Sequence, residues 1–138
     1  MAGAHVRAKL GAPNYRVEIN ANEHALVADE PPELGGGDAG PSPFALVLSG
    51  LSGCTLITLK MYADRKAMPV TGIEVELRLH AGDPKRRIER HVGVGGPLSL
   101  EQIARLREIV ERTPVTLALM HGFDIETTLD APPSPDRI

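Results

Sequence analysis

The segment from Pro43 to Lys66 constrains this chain more than any other part of it. Phe44-Ala45-Leu46-Val47-Leu48 and Leu51 are interrupted only by small residues, Ser49, Gly50, Ser52 and Gly53. At helical spacing this leaves no polar stripe to face water. A helix that is apolar round its circumference is covered by its surroundings rather than laid on a surface. A chain of 138 residues has trouble supplying that cover alone, so the sequence predicts a partner subunit. The start of the helix is marked by Ser42 as N-cap and Pro43 in the first turn, where the missing N–H costs least. Met68-Pro69 ends it. Gly50 and Gly53 each cost about 1 kcal/mol against alanine inside a helix. Their spacing predicts close backbone packing or a kink just before Cys54.

The rest of the chain reads as antiparallel strands and one further helix. Residues 4–29 give short strands, with Tyr15–Ile19 alternating, a turn at Ala21-Asn22-Glu23, and His24–Ala28 extended again. Gly11-Ala12-Pro13-Asn14 is a turn by composition. Glu30–Gly40, with two prolines and four glycines, is predicted as loop. Val70–His80 alternates, with Ile73, Val75, Leu77 and Leu79 on one face. A loop at Ala81–Lys85 returns the chain into Arg87–Val94, giving a long hairpin with one wet face. Ser99 and Gln102 form a capping box for a second helix with Ile103, Leu106, Ile109 and Val110 as its stripe. Pro114 ends that helix near Thr113 or opens a new turn through Leu119. Phe123–Leu129 is predicted as a last strand, and residues 130–138 as a frayed tail. The expected fold is α+β, one domain over residues 1–138.

Composition excludes several functions. Net charge is −3 with Lys and Arg scattered, so no basic stripe marks a nucleic-acid surface. No run of 18 apolar residues suggests a membrane span, and Met1–Arg7 lacks the apolar stretch of a signal peptide. Cys54 is the single cysteine, which forbids an internal disulfide and suits a reducing cytoplasm. Histidines 5, 24, 80, 91 and 121 have no metal-ligand spacing, so neither a metal nor a cofactor is expected. Gly35, Gly37 and Gly40 match G-x-G-x-x-G, but Pro41 removes a donor, Asp38 adds negative charge and no βαβ unit surrounds them. They read as residues that let the chain turn into the helix. Arg86, Arg87 and Arg90, interleaved with Glu89, read as cross-strand pairing residues. Ser49, Ser52 and Thr55 have no His and acid at a triad's spacing.

Taken alone, one cysteine in an apolar helix is a buried structural residue before it is a nucleophile. Its setting, however, carries a resemblance. A Gly-rich loop runs into Pro41-Ser42-Pro43, then into an apolar helix with Gly53-Cys54-Thr55, followed by Leu59–Lys66. With Glu111-Arg112-Thr113-Pro114-Val115, this resembles the OsmC/Ohr superfamily of thiol-dependent hydroperoxide reductases, in its OsmC-like branch, over residues 5–130. The resemblance implies antiparallel sheets around a buried central helix, in an intertwined homodimer with the two central helices between the sheets. It also implies that Cys54 matches the peroxidatic cysteine. A helix N-terminus at a kink beside Gly53 would stabilise its thiolate.

This sequence departs from the family pattern twice. The resolving cysteine of the Glu-Arg-Cys-Pro-Val segment is here Thr113, whose hydroxyl cannot close a disulfide. The family's glutamate, nine or ten residues before the cysteine, falls on Phe44 or Ala45. Its arginine partner would come from the N-terminal strands, as Arg16 or alternatively Arg7. Three functions follow as expectations. One is a cytoplasmic, peroxide-responsive thiol protein that an organic hydroperoxide oxidises at Cys54 and an external thiol reduces. Another is a non-enzymatic protein holding a small hydrophobic ligand in a pocket lined by Phe44, Leu48, Leu51 and Met61. The third is a structural relative with inert Cys54. Each has itself as partner, and no nucleic acid or membrane.

Overall fold

The structure is a computed structural model that describes residues 3–82 and 86–131. Its first element is a three-stranded antiparallel sheet of β1 (Val6–Leu10), β2 (Val17–Ala21) and β3 (His24–Ala28), in that order. Two residues join β2 to β3. Asn22 and Glu23 sit at φ 47° and 71°, the left-handed values that a tight hairpin turn of this type requires at both central positions. The Asn20 side chain accepts from the Glu23 N–H at 3.1 Å and holds the turn. The strand predicted at Tyr15–Ile19 begins two residues later, because Arg16 still belongs to the preceding turn: the Gly11 N–H donates to its carbonyl at 2.8 Å.

Beyond β3 the Gly-rich segment is a loop with one turn of 3-10 helix, Pro32–Leu34, where the sequence suggested no helical turn. Buried Asp29 organises it, accepting the N–H of Glu30 at 2.7 Å and of Ala39 at 3.0 Å. Two glycines are obligatory there. A Cβ at Gly36 would stand 1.9 Å from the Glu30 carbonyl oxygen, and one at Gly40 2.2 Å from that of Val27.

The central helix, α1, spans Pro43–Arg65. Ser42 caps it by accepting the Ala45 N–H at 3.3 Å, and Pro43 is its first residue. It continues unbroken through Gly50 and Gly53, and a Cβ on either would meet nothing within 4 Å. The helix does not break before Cys54, and any close approach to those glycines must come from outside the described chain. Leu51, Thr55, Leu59 and Ala63, four residues apart, form its buried stripe. That stripe packs on a hairpin of β4 (Gly72–His80) and β5 (Arg87–Gly95), and on α2 (Leu100–Val110) and α3 (Pro114–His121). The hairpin register sets Ile73 opposite Val94 and Leu77 opposite Arg90.

The opposite side of α1 is open. Val47, Ile57 and Met61 are 41%, 56% and 63% exposed. By length and composition alone α1 could cross a membrane, although the sequence read without it suggested no span. In this fold one of its faces is occupied by the hairpin and the two shorter helices. Strands β1–β3 pack chiefly on one another.

The capping box of α2 is formed as expected. Ser99 Oγ accepts the Gln102 N–H at 3.1 Å, and Gln102 Oε1 accepts the Ser99 N–H at 2.9 Å. Pro114 opens a new helix, α3, rather than only ending α2. The strand predicted at Phe123–Leu129 is not formed among the described residues. Its apolar positions Phe123, Ile125 and Leu129 are 71%, 84% and 85% exposed. They alternate with Asp124 and Glu126, a strand's pattern without a neighbouring edge to pair with. Asp83–Lys85 of the predicted hairpin loop and residues 132–138 of the predicted tail lie outside the described residues.

Candidate functional site

Cys54 lies in the middle of α1, beside the buried Thr55 and partly exposed. One turn on, Thr58 Oγ1 stands 3.8 Å from its sulfur. From the other side the Val115 N–H donates to Sγ at 3.4 Å. The source of that contact is α3. The first N–H groups of a helix have no partner within it. Pro114 at the first position has none to offer, and the next, that of Val115, finds the sulfur. The positive end of the α3 dipole thus faces Cys54. The sequence suggested a helix N-terminus beside this thiol, but assigned it to a break in α1. The structure supplies it from a separate helix.

Thr113 is the N-cap of α3 and fully buried. Its hydroxyl does not cap the helix; it lies 2.6 Å from Thr116 Oγ1. The segment that carries Thr113 therefore reaches the sulfur through Val115, two residues on. Arg16 is elsewhere engaged. Its Nε donates to Glu18 at 2.9 Å on the N-terminal sheet, and it is not among the polar neighbours that Cys54 has in the described chain.

The charged residue that does enter this region is Arg90, which composition had assigned to cross-strand pairing. Arg90 Nη1 donates to Thr55 Oγ1 and to Thr116 Oγ1, both at 2.9 Å, and Nη2 donates to the Val110 carbonyl at 3.0 Å. One guanidinium so ties β5 to α1, to the end of α2 and to α3. The alternation of β5 explains the inward direction: Ile88, Arg90, Val92 and Val94 share a face, and successive strand residues point to opposite sides. A charge in an otherwise apolar register was the sequence signal for this residue. Glu89, its neighbour, points to the other face and pairs with His80 at 3.0 Å and His91 at 3.3 Å, bonds that hold its carboxyl below the ordinary carboxylate range.

Beside this network is a cleft of about 410 Å³. Leu51, Ile88, Leu119 and Met120 give it apolar walls, and Arg86, Arg90, Glu111 and Thr116 polar ones. Of the four residues expected to line a pocket, Leu51 does so here. Phe44 instead carries the Arg86 guanidinium over its ring at 5.1 Å, and Met61 is exposed on the open side of α1. Among the described residues no cluster of side chains could hold a metal ion.

Helix α1 with its thiol and the turn into α3 fall inside the one stretch that a family profile recognises. The profile of the family described as OsmC-like protein matches residues 35–128. The chain belongs to the OsmC-like family. Solved structures of similar fold agree with this. An OsmC-like protein from Mycoplasma pneumoniae superposes with a TM-score of 0.73 at 20% identity, over 86% of this chain and 88% of that one. An organic hydroperoxide resistance protein OsmC from Legionella pneumophila gives 0.64 at 18%, over 86% and 90%. An organic hydroperoxide resistance protein from Elizabethkingia anophelis, with thiocyanate bound, gives 0.68 at 17%, over 86% and 88%. At these identities the likeness shows the fold. No curated protein sequence matches. Within the OsmC-like fold, Thr113 is a buried, hydrogen-bonded residue at the start of α3.

Proposed function

We propose that this OsmC-like protein is a hydroperoxide-responsive thiol protein of oxidative stress defence that works through Cys54 alone, in the cytoplasm, as a homodimer. The observation that carries this reading is the sulfur at the mouth of α3, with the Val115 N–H 3.4 Å away. A thiolate there would meet a hydrogen-bond donor and the positive end of a helix dipole, the surroundings that reactive cysteines use. The names of the Legionella and Elizabethkingia structures support an organic hydroperoxide as the oxidant.

In the reaction the Cys54 thiolate attacks the terminal oxygen of the hydroperoxide. The O–O bond breaks, the alkoxide leaves and takes a proton to become an alcohol, and sulfur is oxidised to sulfenic acid. Thr113 offers a hydroxyl and not a thiol, so the second half requires an external dithiol. Its first thiol displaces water from the sulfenic acid to form a mixed disulfide. Its second thiol attacks that disulfide, releasing Cys54 reduced and leaving the dithiol as its own disulfide. Arg16, the arginine that the resemblance offers, is paired with Glu18 on the N-terminal sheet in this chain.

The test is intact mass after brief, stoichiometric cumene hydroperoxide with dimedone present. A single adduct that disappears in Cys54→Ser is expected; unmodified protein overturns the reading. A second reading, a non-enzymatic protein for a small hydrophobic ligand, is favoured by the 410 Å³ cleft with its apolar walls. A small molecule retained in native mass spectra of a protein that forms no adduct would select it.

A further inference from the structure

Arg90 is an expensive choice for its position. It occupies the apolar row of β5, opposite Leu77, where valine or isoleucine would bury without penalty. Bringing a guanidinium out of water costs free energy unless it is paired and hydrogen-bonded. Its partners are three uncharged oxygens, those of Thr55, Thr116 and the Val110 carbonyl. Among the described residues it makes no ion pair with a carboxylate. Simple filling of the core therefore does not account for it.

Its three partners share one property. Thr55 follows Cys54 in α1, Val110 is the last residue of α2, and Thr116 is in the first turn of α3, next to the Val115 whose N–H meets the sulfur. Thr116 also holds Thr113, the N-cap of α3, at 2.6 Å. The α3 N-terminus lacks a side-chain cap of its own. These bonds add to its direct packing on α1.

We propose that Arg90 is the positioning residue of the Cys54 site: by bridging Thr55 to Thr116 and the Val110 carbonyl, it holds the first turn of α3 against α1 and so keeps the Val115 N–H on the sulfur. Arginine is suited to this and lysine is not. A planar fork with five N–H donors can serve oxygens on three elements at fixed angles, whereas an ammonium is a point charge on a flexible stem. The inference rests on the thiol reading for its effect on oxidation, but its geometric part stands apart from that chemistry.

The test uses the full-length protein and three variants: Arg90→Met, which keeps the apolar stem; Arg90→Lys, which keeps the charge; and Thr116→Val, which keeps the shape and removes one acceptor. Two quantities are read on the folded proteins. The first is amide hydrogen exchange at Val115, with Leu59 in the middle of α1 as internal reference. The second is the rate of sulfenic acid formation at Cys54 under fixed peroxide and pH. In Arg90→Met and Arg90→Lys the Val115 amide is expected to exchange about tenfold faster relative to Leu59, as expected for a local opening. The oxidation rate should fall about tenfold in step, the factor that one hydrogen bond to a charged group is worth. Thr116→Val should move both in the same direction, and serves if the Arg90 variants do not fold. Unchanged Val115 exchange in the folded variants overturns the proposal. Full retention of both quantities in Arg90→Lys also overturns it, because charge and not the three-way bridge would then be what matters. If the unaltered protein forms no sulfenic acid, the functional reading fails, and the exchange measurement still decides the role of Arg90.

Discussion

At the scale of single residues, the site is defined by what each side chain can and cannot donate. Thr113 carries a hydroxyl and not a thiol, and its segment reaches the sulfur through the bond from Val115 to Cys54. Thr113→Cys should therefore form an intramolecular disulfide after peroxide, seen as the loss of two hydrogens by mass and the disappearance of the dimedone adduct. A persistent adduct in a folded variant would mean that the Thr113 side chain cannot turn to the sulfur. Asp29 gives a second prediction, on pH. The Ala39 N–H, then those of Glu30 and Gly37, hold its carboxyl below the ordinary value of 3.8. Its folded pKa is thus depressed, so its stabilisation is fully present above the unfolded value and is lost as pH falls through the folded one. Asp29→Asn should be less stable near neutrality and should lose part of the acid dependence below pH about 4. Equal acid profiles for the two proteins in thermal melts would refute this. Residues of this kind differ in how far sequence reveals them. Cys54 was legible because it is the only thiol and sits in a recognisable setting. Arg90 is less legible because three arginines lie within five residues, and only the register of β5 shows which one falls in the apolar row.

At the scale of elements, local chemistry was legible wherever the chain itself closes the hydrogen bonds. Ser42 with Pro43, Ser99 with Gln102, and the alternation of β4 and β5 all depend on neighbours within a few residues or on period alone, and all are formed. Ser99→Ala should cost about 1 kcal/mol, the usual worth of an N-cap, read as a lower urea midpoint at unchanged slope. Gly36→Ala should cost more, because its Cβ would overlap the Glu30 carbonyl and force the loop off Asp29. A loss of about 1–3 kcal/mol is expected there, as for an overpacked site; a neutral result would mean that the loop yields freely. Elements that need a distant partner were less legible. The helix end beside Cys54 belongs to α3, and no local pattern says that Pro114 will bring it there. Phe123–Leu129 has the alternation of a strand, but alternation cannot supply the edge it must pair with.

At the scale of the whole molecule, the features left unsatisfied in one chain point the same way. One face of α1 is packed and the other presents Val47, Ile57 and Met61 to solvent. Gly50 and Gly53 have open space around them, β1–β3 pack chiefly on themselves, and Phe123–Leu129 runs unpaired. A lone subunit would expose a contiguous apolar surface of the kind that marks an interface. A second copy placed on the open side of α1 would cover it, bring another N-terminal sheet over the helix, and offer a strand edge to Phe123–Leu129. The expected outcome is a dimer in sedimentation at micromolar concentration, with the amides of Ile125 and Leu129 protected from exchange although both side chains are exposed in one chain. Ile57→Lys should weaken association by about 3 kcal/mol or more, roughly a hundredfold in Kd, because a lysine there would be buried without a partner. It should also expose the Ile125 and Leu129 amides in parallel, since any protection of them would depend on the second copy. A folded, monomeric native protein would refute the argument at once. A native dimer that Ile57→Lys leaves intact would place the interface on another face of the molecule, and the open side of α1 would then need a different cover.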